Sequence, residues 1–173
     1  DHTITSRILE RDYKLYISFP KNYSTKNSIS YPVLYVLDGQ CFYPIITGTR
    51  ELLGYVNEIE DIIIVGISAS NFSVDRHYDY TTSVDTAYDK EEDKSHDKPK
   101  GTYKSGGAAK FLESLKTEII PFVDNNYKTN SDRGIAGSFL GGSFTAYCLV
   151  NSDGYFTRFS LGSPSLMLDN EKL

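Results

Sequence analysis

Cysteine is scarce in this sequence: Cys41 and Cys148 are its only two, and they lie far apart. That excludes a disulfide framework and a cysteine-based metal cluster, and it leaves both residues to be read as small buried hydrophobes. Apolar runs of membrane-spanning length are also missing. So is an excess of positive charge, since the formal net charge is −5, and a nucleic-acid surface ordinarily needs a basic face. No internal repeat is visible, and nothing in the residue pattern points to a metal or an organic cofactor. The chain starts at Asp1 rather than at methionine, which reads as processing or trimming, and no signal peptide is left to identify the compartment. A soluble protein of the cytoplasm, the periplasm or the exterior fits equally.

What is present suits one globular domain with a real core. The 173 residues are 39% hydrophobic and 24% charged. Two strands open the chain, Thr3 to Leu9 and Tyr13 to Pro20, with a tight turn expected at Arg11-Asp12. In the second, Leu15, Ile17 and Phe19 alternate with Lys14, Tyr16 and Ser18, the period of a half-buried antiparallel strand. The unbroken apolar runs Pro32 to Leu37 and Asp61 to Ile67 suit central strands of a parallel sheet, covered on both faces. Between them, Phe42 to Val56 carries Ile45, Ile46, Leu52, Leu53 and Val56 at near-helical spacing, which makes a right-handed crossover unit.

Residues 71–105 break this rhythm. They are polar and charged around Asp89-Lys90-Glu91-Glu92-Asp93-Lys94, and read as a solvated loop excursion without a core of its own. The alternative is a lid whose portion Arg76-His77-Tyr78-Asp79-Tyr80-Thr81 lines a site. The longest helix follows, Ala108 to Tyr127, with Phe111, Leu115, Ile119 and Phe122 on one face and Pro121 expected to kink or shorten it. A strand over Asp132 to Gly137, a helix over Phe139 to Asn151 and a strand over Phe156 to Leu161 complete an α/β class of fold.

The stretch Ile135-Ala136-Gly137-Ser138-Phe139-Leu140-Gly141-Gly142 joins one of those strands to one of those helices. Its small residues stand two places either side of position 139, the frame of a nucleophile elbow, in which a serine is exposed on a strained turn. Here that position holds Phe139, and the nearest hydroxyl is Ser138. Ser138 is the fallback nucleophile; its other reading is a hydroxyl that satisfies local backbone groups. No histidine follows position 139, where the remaining carboxylates are Asp153, Asp169 and Glu171. His2, His77 and His96 all precede it, and His77 reads as an exposed loop histidine unless it is recruited as a base.

Several stretches together resemble the esterase D branch of the α/β-hydrolases, which includes siderophore (enterochelin-type) esterases, S-formylglutathione hydrolases and feruloyl esterases. They are Tyr31 to Gly39, Val65-Gly66-Ile67, Arg76 with Asp79-Tyr80-Thr81, and Gly106-Gly107-Ala108 with Phe111-Leu112. Ile119-Ile120-Pro121, Tyr127, Ile135-Ala136-Gly137 with Leu140-Gly141-Gly142, and Gly162-Ser163-Pro164-Ser165 continue the set in order. The resemblance implies an α/β-hydrolase-type, mostly parallel sheet flanked by helices, and a serine carboxylic-ester hydrolase. It implies oxyanion donors at Gly39, Gln40 and Leu140, and substrate contacts from Arg76 and Tyr78. The ligand it implies is a small ester or a siderophore-like molecule. In that branch about two further strands and their helices normally follow. The resemblance therefore makes residues 1–173 a single partial domain, its last strand an edge apolar on both faces and open to a second copy or a partner chain. With Phe139 at the turn, the expected protein is an esterase-like domain without turnover. The other classes to weigh are a non-catalytic ligand-binding module and a protein-interaction module.

Overall fold

The structure, a computed structural model, describes residues 1–26 and 28–165. Six strands form one sheet: β1 (His2–Ser6), β2 (Arg11–Ser18), β3 (Tyr31–Val36), β4 (Ile63–Ala69), β5 (Thr129–Ser138) and β6 (Arg158–Gly162). Their order is β1-β2-β4-β3-β5-β6. The β1–β2 and β2–β4 pairs are antiparallel, whereas β4, β3, β5 and β6 run parallel. This is the α/β class that the residue pattern predicts, and the α/β-hydrolase-type, mostly parallel sheet with flanking helices that the resemblance implies. No helix among the described residues is long and apolar enough to cross a membrane.

The two unbroken apolar runs become adjacent inner strands. Val33, Tyr35 and Val36 of β3, and Ile63, Ile64, Val65 and Ile67 of β4, are all buried. The opening hairpin turns earlier than Arg11-Asp12, since both residues are already in β2, opposite Ser6 and Thr5. The turn occupies residues 7–10: Ser6 Oγ accepts the Leu9 N–H at 3.1 Å, and Glu10 takes φ 54°. A serine that bonds its own turn had outcompeted the more obvious charged dipeptide.

Helix α1 (Gly39–Tyr55) does form, but Ile45, Leu52 and Val56 remain exposed. Its buried side chain is Arg50, whose Nη1 donates to Ile62 O at 3.1 Å and whose Nη2 donates to Ser18 Oγ at 2.5 Å. The polar excursion is corrected outright. Residues 71–105 contain helix α2 (Phe72–Tyr80) and helix α3 (Thr86–Ser95), and bury His77, Asp79, Tyr80, Asp93 and Tyr103. The expected long helix is one continuous rod in three parts: α4 (Ala108–Ser114), a π-helical turn (Leu115–Ile119) and α5 (Ile120–Asn126). Pro121 has no N–H to give, and just before it the ladder widens so that Ile120 N–H reaches Leu115 O, five residues back. The inserted residue rotates the buried face. Phe111, Leu115 and Ile119 are buried as predicted, but Val123 takes the inward position expected of Phe122.

Helix α6 (Leu140–Asn151) leads to β6 at the sheet edge. β6 is not apolar on both faces, because Arg158 and Ser160 alternate with Phe159 and Leu161. Cys148 is buried in the core, whereas Cys41 is exposed on α1, against the expectation for that residue.

One buried charge cluster ties β2 to α2. Arg11 Nη1 meets Asp75 Oδ1 at 2.9 Å, its Nη2 meets Asp79, and Tyr13 Oη donates to Asp79 Oδ2 at 2.7 Å. Burial raises the Asp79 carboxyl to about 7, although Arg11 and Tyr13 both oppose the shift. A carboxyl whose folded value lies above its unfolded one favours the fold when protonated. Its contribution is full below the ordinary value of 3.8 and is lost as the pH rises through about 7. Asp79→Asn is therefore expected to flatten the stability profile between pH 5 and pH 8, which urea midpoints at the two pH values will measure.

Candidate functional site

The chain proceeds from β3 to β4 on one side of β3, and then places β5 on the other side. A crevice forms where the direction of winding switches, outside the C-terminal ends of β3 and β5. Both strands there pass through one strained residue into a helix. After β3, Asp38 takes φ 52°, ψ 46° and α1 begins. After β5, Phe139 takes φ 55°, ψ −118° and α6 begins. A residue with a side chain rarely adopts positive φ, and the cost is of order 1–3 kcal/mol.

The surroundings hold Phe139 in that conformation. Its N–H donates to Gly162 O at 2.9 Å, and its carbonyl accepts from Ser143 N at 3.0 Å and Ser165 N at 3.1 Å. The two ends of the turn are in close contact. A Cβ on Gly137 would lie 2.2 Å from Gly141 O and 2.8 Å from Thr145 Oγ1. The side chain this frame presents is a phenyl ring, 52% exposed.

Ser138 is the last residue of β5 and lies on the strand, not at the apex of the turn. It lines a small cavity of about 160 Å³ with Val36, Leu37, Phe42, Ile46 and Ala136. Its hydroxyl has no hydrogen-bond partner among the described residues, so it does not satisfy local backbone groups. Each histidine is engaged elsewhere. His2 Nε2 meets Tyr127 Oη at 2.6 Å, and His96 Nδ1 lies 3.1 Å from Glu92 O. His77 is buried rather than exposed: its Nε2 meets Asp89 Oδ1 at 3.0 Å and its ring stacks on Tyr88. Asp153 is exposed beside Lys116, while Asp169 and Glu171 lie outside the described residues.

Helices α1 and α6 start at this end of the sheet, with Gly39, Gln40 and Leu140 in their first turns, and Phe42 and Ile46 of α1 line the small cavity. First-turn N–H groups have no partner within their own helix, so they are free to donate. Gly39 lies flat against β4, where a Cβ would come within 2.7 Å of Gly66 C and Ile67 N. The carboxamide of Gln40 is buried with no hydrogen-bond partner for either end.

Helix α2 sorts its charges by helical spacing. Asp75 and Asp79, four apart, turn to Arg11; Arg76 and Tyr80, also four apart, turn to Asp38. Arg76 Nε and Nη2 grip the two Asp38 oxygens at 3.0 and 2.8 Å, and Asp38 N–H donates to Tyr80 Oη at 3.3 Å. Burial opposes the Arg76 charge, but hydrogen bonding and attraction to Asp38 outweigh it and raise the guanidinium above its ordinary value. A Cβ on Gly141 would meet Asp38 Oδ2 at 3.4 Å, so the pair lies close to the start of α6 as well. Arg76→Lys keeps the charge but loses the two-pronged grip. It is expected to cost about 1.5 kcal/mol of stability, read from the urea midpoint. Tyr78 points elsewhere: its ring covers Gly107, receives the Arg11 guanidinium at 5.2 Å, and lines a separate cleft with Val74 and Lys104.

Sequence reasoning missed Asp38 as the partner of Arg76: it took Asp38 as the end of a strand and gave a role only to Gly39 beside it. A separate concavity of about 660 Å³ around Arg50 and Tyr55 lies at the opposite end of the sheet. Among the described residues, no group of histidine, cysteine, aspartate or glutamate could hold a metal ion.

The geometry has counterparts among known proteins. The family model described as "Putative esterase" matches residues 6–171. The apo-salmochelin esterase of Escherichia coli O6:H1 (strain CFT073) is 31% identical over 163 residues, covering 90% of this chain and 48% of that protein. The chain thus spans about half the length of that relative. Among solved structures, the BES protein from Bacillus cereus superposes with TM-score 0.80 at 25% identity, covering 99% of this chain and 63% of that one. An IroE-like serine hydrolase from Shewanella oneidensis gives TM-score 0.71 at 25% identity, covering 91% and 48% respectively. From the match over residues 6–171, together with the siderophore-esterase-type relatives, the chain belongs to the esterase family.

Proposed function

We propose that this chain keeps the esterase scaffold but does not cleave esters. The observation that carries this reading is Phe139, which occupies the exposed, positive-φ apex between β5 and α6 where a nucleophile elbow presents its serine. A phenyl ring has no lone pair with which to attack a carbonyl, and it fills the space an acyl group would enter. Ser138 is one residue away, on the strand, and no histidine among the described residues contacts it, so nothing takes up its proton. Gly39, Gln40 and Leu140 would remain as oxyanion donors, held in place by the Arg76–Asp38 pair. With both prongs on Asp38, Arg76 acts through that turn rather than by gripping substrate.

The test is pre-steady-state kinetics with p-nitrophenyl butyrate. The expected trace shows no burst of p-nitrophenol. A burst that disappears in Ser138→Ala would defeat the proposal.

A second reading, binding without turnover, is favoured by the apolar cavity of about 160 Å³ beside Ser138. Its volume is on the scale of cavities of about 150 Å³ that accept a benzene ring. The ligand class is then a small aromatic ester or a siderophore-like molecule, as the names of the relatives suggest. Calorimetry with phenyl acetate and with an apo-catecholate siderophore would show saturable heat; none with either would reject this reading. The β6 edge also offers unpaired backbone for strand addition by a second copy or a partner chain. Light scattering that shows a strict monomer at high concentration would remove that idea.

A further inference from the structure

Away from the crevice, helix α3 and the segment after it build a second feature. Asp93, buried at 5% exposure, is its centre. Its Oδ2 accepts Gly101 N–H at 2.6 Å and its Oδ1 accepts Tyr103 N–H at 2.8 Å. These backbone bonds, that of Tyr103 foremost, hold the carboxyl below its ordinary value. Lys98 N–H returns to Asp93 O at 2.7 Å. The residues after α3 are thus folded back on the helix, and Lys98 and Lys100 are brought beside Lys90 and Lys94.

These four lysines and Asp93 line a concavity of about 330 Å³. None of the four forms an ion pair among the described residues. The nearby acids are engaged in other ways. Asp85 caps α3 through Ala87 and Tyr88 N–H, Asp89 meets His77, and Glu92 meets His96. Asp93 is spent on backbone, and Glu91 and Asp97 do not line the concavity. Lys90 and Lys94 are four apart on one helix, where like charges repel by a few tenths of a kcal/mol. Four lysine side chains therefore line one concavity, with the Asp93 carboxylate on its wall, in a chain whose net charge is −5.

We infer that this concavity binds a compact polyphosphate anion. Its volume is at the lower end of the roughly 300–1,000 Å³ typical of small-ligand sites. Lysine is a flexible point charge well suited to phosphate oxygens, and several of them can share one multiply charged ion. Binding of a multiply charged anion by such exposed lysines weakens with salt.

The experiment is calorimetric titration of the 173-residue chain with inorganic tripolyphosphate at 50 and 500 mM NaCl. Expected are saturable one-site binding at low salt, at least tenfold weaker binding at high salt, and at least tenfold weaker binding in Lys94→Ala/Lys98→Ala. The control Lys14→Ala/Lys26→Ala should bind like the parent. Citrate, which carries less charge and has carboxylates in place of phosphates, should bind more weakly. No saturable heat, an equal loss in the control, or citrate binding as tightly as tripolyphosphate would each overturn the assignment. Both double variants change exposed lysines, and matching thermal melts will confirm that they fold.

Discussion

Phe139→Ser will leave the 173-residue chain without measurable ester turnover. The substitution restores a hydroxyl at the apex of a turn whose backbone is already in place at φ 55° and ψ −118°. A serine hydroxyl is a weak nucleophile until a positioned base removes its proton. His77 is committed to Asp89 on the far side of α2, His2 to Tyr127, and His96 to the end of α3. Removing a member of a nucleophile–base unit typically costs several orders of magnitude in rate, so repairing only one member recovers little. The measurement is p-nitrophenyl butyrate hydrolysis by the parent and the variant, with buffer as reference. Rates within a few-fold of buffer for both are expected. A rate thousands of times above buffer in Phe139→Ser would show that a base is within reach.

Gly137→Ala will destabilise the fold by about 3 kcal/mol, at the upper end of overpacking costs. The new methyl would lie 2.2 Å from Gly141 O and 2.4 Å from Gly141 C. Both are backbone atoms at the start of α6, so no side chain can swing aside. Either the strand end or the helix must move, and each is anchored by the bonds that hold Phe139. Gly48→Ala is the contrasting variant. Gly48 lies inside α1 with no atom within 4 Å of its Cβ position, so alanine should stabilise the helix by about 0.5–1 kcal/mol. Urea midpoints for the two variants should move in opposite directions.

The sequence discloses those parts of this molecule where one local rule dominates. Unbroken apolar runs gave β3 and β4, because a strand covered on both faces has no polar position to break the pattern. The glycine frame located the turn at Phe139, because Gly137 and Gly141 are in backbone contact. Concealment begins where a tertiary partner overrides local pattern. In α1 the long stem and charged head of Arg50 are buried against β2 and the start of β4, while Ile45 and Leu52 remain outside. Residues 71–105 read as solvated loop because their charges are many, yet Arg11 pairs with Asp75 and Asp79, Asp38 with Arg76, and His77 with Asp89 inside the segment. A start signal for α3 was present: Asp85 caps it at 3.0 Å from both Ala87 and Tyr88 N–H. The rotation from Phe122 to Val123 follows from the π-helical turn, whereas the straight-helix period assumes 3.6 residues throughout.

At the site, Gly39, Gln40 and Leu140 came from the resemblance, and the structure places them at helix starts, whereas the residue pattern had begun α1 only at Phe42. That Arg76 reaches Asp38 instead of the crevice depends on α2 being a helix at all, which its composition obscured.

Intact-mass spectrometry after incubation with diisopropyl fluorophosphate tests the central claim most directly, because that reagent marks activated serine hydroxyls covalently. The account predicts an unchanged mass for the parent chain. A stoichiometric phosphoryl adduct mapped to Ser138 would contradict it.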